Sequence, residues 1–154
     1  ATFLLEAEQF ENVLNDGRSD ALWSSGFDRS FPSGGLTVFA DAPVAGAVRM
    51  RTRAPANLGA ARYQVYLRVA VASARDAAWR GLFEVFVDGR SIGGTDAILP
   101  NAPRLPTPAA SFQWMHVGSA AIHGGANLAV DLRRHYGSPA GFGEWDAMLL
   151  VAEP

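Results

Sequence analysis

The sequence predicts an all-β fold, a jelly-roll β-sandwich of two antiparallel sheets. Short runs of alternating apolar and polar residues recur along the chain, separated by clusters of Gly, Pro, Asn and Asp, which is the pattern of sandwiches and barrels. No stretch sustains the periodicity of a helix. At 154 residues the chain is long enough for one well-buried core and short for two ordinary domains. We therefore expect one domain over residues 1–154.

About eight strands follow from this pattern. The clearest covers residues 62–71, where apolar and polar residues alternate as in a half-buried strand. Residues 82–87 form the next strand and end at Asp88-Gly89, a dipeptide typical of a hairpin turn because both residues tolerate positive φ. The other predicted strands cover residues 3–10, 36–40, 47–54, 112–117, 128–133 and 145–151.

Composition excludes several classes of protein. With 49% hydrophobic residues, 18% charged residues and a net charge of -2, the chain is neither disordered nor basic enough for nucleic acid. No apolar run approaches the roughly 20 residues that span a bilayer, so we expect no membrane partner. The first residues lack the pattern of a signal peptide, so we expect them to lie at or beyond a processing point. Without cysteine, stability must come from the core or from a metal.

The first strand carries two acidic residues. Glu6 and Glu8 alternate, so they share one side of a strand and lie about 6.6 Å apart along it. Oxygen ligands of this kind suit calcium, and Asp146 near the start of the last strand supplies a third carboxylate. The alternative is a solvated edge strand, where charge discourages edge-to-edge pairing. Spacing alone leaves both open.

Four segments in order carry a resemblance to a known family. Residues 5–10 (LEAEQF), 63–69 (YQVYLRV), 86–89 (FVDG) and 145–150 (WDAMLL) resemble the CBM6/CBM35-like carbohydrate-binding modules. Residues 36–40 (LTVFA) and 112–118 (FQWMHVG) are similar to the sandwich domains attached to bacterial polysaccharide lyases and to secreted FAD-dependent oxidoreductases.

The resemblance implies a function. It implies a non-catalytic module that binds polysaccharide or oligosaccharide, attached to a catalytic domain in a protein secreted or displayed by a bacterium. It also implies a structural Ca²⁺ held by Glu6, Glu8 and Asp146, and sugar contacts from aromatic loops at one end of the sandwich. The loop at residues 134–144 lacks the asparagine that precedes the last strand in CBM6, so the identity of the sugar does not carry over.

Sugars stack their apolar faces on aromatic rings and hydrogen-bond through their edges, so loop aromatics beside polar residues are the candidates. The long connections at residues 11–35, 91–110 and 134–144 exceed the usual loop length of about 4–6 residues, as functional loops often do. Trp114, inside a strand, is expected in the core. The candidates are Arg134, His135, Tyr136, Phe142 and Trp145 in the last loop, then Trp79, then Trp23 and Phe27.

Arginine also forms a pattern. Arg49, Arg51 and Arg53 alternate along one strand, so one sheet face presents several guanidinium groups that suit uronate carboxylates. The alternative is an ordinary solvated face.

Catalysis and a structural or docking role are the alternative functions. A glycoside hydrolase or lyase is disfavoured because paired carboxylates must flank a cleft, whereas Glu6 and Glu8 project from one strand. The sequence has no HExxH or GxSxG motif. A structural or docking sandwich without glycan binding would instead require an exposed apolar patch.

Overall fold

The computed structural model describes residues 1–13, 24–26, 37–41, 48–71, 83–95, 111–132 and 142–154. Within these residues an antiparallel sandwich of a six-stranded and a five-stranded sheet forms, which confirms the predicted fold class. No helix in these ranges has the length and hydropathy needed to cross a membrane. The strands are β1 Thr2–Glu6, β2 Glu11–Val13, β3 Ser24–Gly26, β4 Thr37–Asp41, β5 Val48–Arg53, β6 Ala61–Val71, β7 Phe83–Val87, β8 Arg90–Gly94, β9 Ser111–Ile122, β10 Asn127–Leu132 and β11 Phe142–Ala152.

The chain crosses repeatedly between the sheets. The six-stranded sheet has the order β3-β4-β11-β6-β9, with β1 paired to β11, and the five-stranded sheet has the order β2-β5-β10-β7-β8. Only β3-β4 and β7-β8 are both adjacent in a sheet and consecutive in sequence among the described strands. Each predicted strand corresponds to one of these, and β2, β3 and β8 add to the prediction.

Alternation along the strands builds the core. In β6, Tyr63, Val65 and Leu67 are at most 1% exposed, and burying such side chains stabilises the fold by about 1.5–3 kcal/mol each. The Tyr63 hydroxyl donates to the Gly59 carbonyl at 2.7 Å, so its polar atom is satisfied inside. Leu150 from β11 and Leu128 from β10 close the core from the two sheets.

The predicted hairpin is present. Asp88 and Gly89 have φ of 47° and 80°, both positive, as the turn between β7 and β8 requires. The Asn127 amide donates to Asp88 Oδ1 at 2.9 Å, which joins the turn to the start of β10. The Asp88-Gly89 signal therefore predicted the position of this turn and the positive φ of its two residues.

Two bulges face each other where β8 and β9 meet. The register skips Ile92 in β8 and Val117 in β9. A Cβ on Gly93 would lie 2.3 Å from the Val117 carbonyl oxygen, and one on Gly118 would lie 2.1 Å from that of Ile92. Only glycine permits this approach, which brings the edges of the two sheets together.

Candidate functional site

The first strand ends earlier than predicted. Residues Ala7–Gln9 form a turn of 3-10 helix after β1, so Glu6 and Glu8 do not share one continuous strand. The Glu6 amide donates to Gln9 Oε1 at 3.3 Å, and the Phe10 amide donates to the Ala7 carbonyl at 3.0 Å. These bonds turn the chain from the six-stranded sheet into β2 of the other sheet, a constraint that strand periodicity does not reveal.

Asp146 lies on a bulge. The pairing of β11 with β6 places Trp145 opposite Val69 and Ala147 opposite Arg68, so Asp146 is the additional residue. Bulges redirect side chains in this way. The side chain is fully buried, and its Oδ2 accepts a hydrogen bond from Arg68 Nη1 at 2.5 Å. A buried carboxylate with an ion-pair partner therefore stands where the sequence predicts the third calcium ligand.

The three predicted ligands influence one another. Burial raises the pKa of Glu8 above 4.5, a bond to its own backbone lowers it, and the negative charges of Glu6 and Asp146 raise it further. The Glu8 Oε2 atom is buried and makes no hydrogen bond within the described residues. Mutual repulsion of this kind is what a cation relieves.

The donor atoms fit calcium by chemistry, since all are carboxylate oxygens. Across the described ranges, however, no three His, Cys, Asp or Glu side chains are already arranged as a metal-binding group. We call the carboxylates of Glu6, Glu8 and Asp146 the acidic cluster. They lie close enough to interact electrostatically, but they do not surround a single point.

Trp145 corrects one prediction. The sequence predicts that this ring stacks on a sugar from the last loop, but its side chain is 0% exposed and lies in the core. It meets Phe10 edge-to-face, with ring centroids 4.8 Å apart. The bulge at Asp146 explains the difference, because the irregular register allows Trp145 to point inward beside Val69.

Most of the predicted sugar-contact residues are outside the part of the chain that the structure describes. The backbone of Phe142 opens β11 and pairs with Asp41 of β4, whereas its side chain is outside the described set. The other loop candidates also lie outside the described residues: Arg134, His135, Tyr136, Trp79, Trp23 and Phe27.

The arginine pattern lies on the outer face of the five-stranded sheet. Arg49 makes two bonds to Asp131, at 2.5 and 2.9 Å, and its guanidinium lies 4.7 Å from the centre of the Phe86 ring. The hydrogen bonds that Arg49 donates to Asp131 raise the pKa of Arg49. Arg51 and Arg53 are exposed, so two of the three guanidinium groups reach solvent.

These two arginines line a groove of about 410 Å³. Charged and amide side chains from β2, β5, β10 and the preceding turn surround it. The lining residues are Gln9, Glu11, Arg51, Thr52, Arg53 and Asn127. Such a groove offers both donors and acceptors to a polar ligand.

Trp114 corrects a second prediction. It is half-buried on the outer face of the six-stranded sheet, opposite Arg68, and not in the core. Met115 and Val117 of β9 are buried, and alternation places Phe112, Trp114 and His116 on the other side. Alternation separates these two sides of the strand and does not say which of them faces the core.

The fold and the candidate site together define an antiparallel two-sheet sandwich that carries an acidic cluster near its first and last strands. No protein-family model and no curated protein sequence matches the chain. Comparison with solved structures is more informative, and it confirms the predicted resemblance.

The CBM35 module from Paenibacillus barcinonensis is 16% identical with a TM-score of 0.57, and the match covers 98% of this chain and 99% of that one. The C-terminal CBM6 of LamC from Zobellia galactanivorans is 16% identical with a TM-score of 0.53, covering 98% and 99%. This chain therefore has the fold of CBM6 and CBM35 modules.

Larger proteins also contain this fold. The Agl-KA catalytic domain is 12% identical with a TM-score of 0.65, and the match covers 99% of this chain. The chain spans 28% of the length of that protein and 21% of that of the insecticidal crystal protein Cry2Aa. The sandwich therefore also occurs as one part of a longer chain.

Proposed function

We propose that this chain is a non-catalytic carbohydrate-binding module that attaches a polysaccharide-acting enzyme to its glycan. The observation that carries the proposal is the end-to-end match with CBM35 and CBM6 modules, which covers 97% or more of both chains. A match over both full lengths supports the role of a module for this chain, in preference to that of an enzyme.

The acidic cluster supports a non-catalytic role. Catalytic carboxylates must face the substrate from two sides of a cleft. Here Asp146 is fully buried and ion-paired with Arg68, so its carboxylate does not face a cleft. These carboxylates suit a structural cation, and we propose Glu6, Glu8 and Asp146 as ligands of a calcium ion that stabilises the fold.

The sugar class depends on which surface binds. Stacking in the loop at residues 134–144 favours a neutral chain and is insensitive to salt, whereas the groove at Arg51 and Arg53 favours uronate carboxylates and is weakened by salt. We also propose that the protein is secreted or displayed on the surface of a bacterium, and that the module is attached to a catalytic domain.

Affinity-gel electrophoresis of the isolated chain tests the function. The panel contains neutral and uronic-acid polysaccharides, each run with calcium and with chelator. We expect selective retardation by one class. Tyr136→Ala tests the last loop, and Arg51→Gln with Arg53→Gln tests the groove against Arg90→Gln, an exposed arginine of the same sheet. Free migration through every gel would contradict carbohydrate binding and favour the docking alternative.

A further inference from the structure

An arginine side chain lies against the acidic cluster. Arg68 is on β6, and its Nη1 atom donates a hydrogen bond to Oδ2 of Asp146 at 2.5 Å. The Asp146 side chain is 0% exposed, whereas that of Arg68 is 23% exposed. A bond of this length between a guanidinium and a carboxylate is strong, and more so where water is excluded. Arg68 therefore already pairs with the carboxylate that the sequence predicts as the third calcium ligand.

The bulge in β11 directs Asp146 to this partner. Asp146 is the additional residue between the pairs Trp145–Val69 and Ala147–Arg68, and its side chain meets the guanidinium. Within the described ranges no three carboxylate or imidazole side chains are gathered as a metal-binding group. A cation that used all three carboxylates of the acidic cluster would therefore have to draw Asp146 away from Arg68.

Glu8 shows that one guanidinium does not balance the acidic cluster. Its Oε2 atom is buried and makes no hydrogen bond within the described residues. Burial is the main cause that raises the pKa of Glu8, and the negative charges of Glu6 and Asp146 also raise it. The acidic cluster still attracts a divalent cation for this reason, but the cation must approach the positive charge of Arg68.

The ring of Phe112 offers Arg68 a second partner. The guanidinium carbon lies 5.2 Å from the centre of this ring, which belongs to β9. A separation below about 6 Å is that of a cation–π contact. Because the Arg68 side chain also reaches solvent, its guanidinium can leave Asp146 and stay between the ring and water. Arg68 can thus give up the carboxylate without becoming a buried unpaired charge.

We propose that Arg68 is an internal counter-ion that competes with calcium for Asp146 and thereby sets the affinity of the calcium site. The proposal rests on the calcium ion proposed above and adds the regulation of its site. In chelator the guanidinium keeps the buried carboxylate paired, so the sandwich should remain folded. In calcium the ion pair must break, so the affinity should be lower than three unpaired carboxylates would give.

Calorimetric titration of calcium into the wild-type chain, Arg68→Met and Arg68→Lys measures this competition. Arg68→Met removes the charge and keeps an apolar stem beside Phe112. Its dissociation constant for calcium should be about tenfold lower or more, as expected when a competing charge-assisted hydrogen bond is lost. Arg68→Lys keeps a positive charge that can make the same single bond, so its dissociation constant should stay within about threefold of wild type.

Arg62→Met is the matched control. Arg62 lies on the same strand six residues away, about 20 Å along β6, and its side chain is 60% exposed and 3.6 Å from Glu153. That separation is about two Debye lengths at physiological salt. Removing this charge should therefore leave the calcium affinity within about twofold of wild type.

NMR of the wild-type chain provides a second measurement that does not depend on how the variants fold. A guanidinium bound to a carboxylate rotates slowly, so the nitrogen–proton signals of the Arg68 side chain report its bond to Asp146. Saturation with calcium should shift or broaden these signals and leave those of Arg62 in place. The spectrum of Arg68→Lys, which lacks the Arg68 signals, assigns them.

The outcomes separate this inference from the calcium site itself. If calcium binds wild type and Arg68→Met equally well, or leaves the Arg68 signals unchanged at saturation, the competition is overturned and the calcium site stands. Binding by Arg68→Met alone supports the proposal, because the guanidinium then excludes the ion. Absence of binding in every protein overturns both, and glycan retention in chelator shows whether the carbohydrate-binding function survives that result.

Discussion

Replacing Arg49 and replacing Asp131 should lower the free energy of unfolding by very different amounts, although both changes remove the same ion pair. The Asp131 side chain is 1% exposed, whereas that of Arg49 is 31% exposed. Arg49→Met leaves a buried carboxylate without its cation, which costs about 3–5 kcal/mol. Asp131→Asn leaves a guanidinium that can turn toward water and an amide oxygen that still accepts a bond. We expect a loss of about 1 kcal/mol for that change.

Urea unfolding followed by tryptophan fluorescence at neutral pH measures both changes. With a slope of about 2 kcal/mol per molar urea, a loss of about 4 kcal/mol lowers the midpoint by about 2 M. Arg51→Met is the control on the same strand face and should stay within about 0.5 kcal/mol of wild type.

The reasoning is refuted if Asp131→Asn costs as much as Arg49→Met, or if Arg49→Met costs no more than the Arg51→Met control. Either result would mean that the carboxylate of Asp131 is solvated in solution and that its burial does not decide the energy of the pair.

Three further predictions concern the acidic cluster and the bulges. The pKa of Glu8 in the folded chain is raised above 4.5, so its neutral form favours folding. In chelator, the free energy of unfolding of the wild type should therefore rise relative to that of Glu8→Gln as the pH falls through the raised pKa toward 4.5. Urea titrations at several pH values measure this difference. Calcium at about 100 times its dissociation constant should stabilise the wild type by about 2.7 kcal/mol and Glu8→Gln by less; equal melting curves with calcium and chelator would count against the ion. Gly118→Ala should cost about 1–3 kcal/mol because its Cβ would meet the Ile92 carbonyl oxygen at 2.1 Å, whereas Gly59→Ala, with open space around it, should be tolerated in the same urea assay.

Local sequence signals were sufficient to predict the strands of the sandwich and the turn between β7 and β8. The alternation in residues 62–71 predicted β6 and its buried side, and Asp88-Gly89 predicted the turn between β7 and β8. Both succeed because side-chain direction in a strand and positive φ in a turn depend on neighbouring residues alone. The order of the motifs also identified the fold that the solved structures confirm.

The geometry of the candidate site depends on the pairing between strands that are distant in sequence. The 3-10 turn after Glu6 arises where the chain changes sheets, and the bulge at Asp146 depends on the register between β11 and β6. That bulge buries Trp145, which local reasoning had assigned to a loop site. Register between distant strands is set by the whole sandwich, so no local pattern encodes it.

The sequence by itself determined that this chain folds as a two-sheet antiparallel sandwich and which residues alternate along each strand. Only the tertiary structure decided that Asp146 binds Arg68 next to Glu8, that Trp145 is buried, and that Trp114 lies opposite Arg68 on an outer face. The physical reason is that alternation assigns residues to two opposite sides of a strand and reveals the buried side where only one side is apolar. Register and packing between distant strands decide which residues become neighbours, and which side is buried where both sides carry apolar residues.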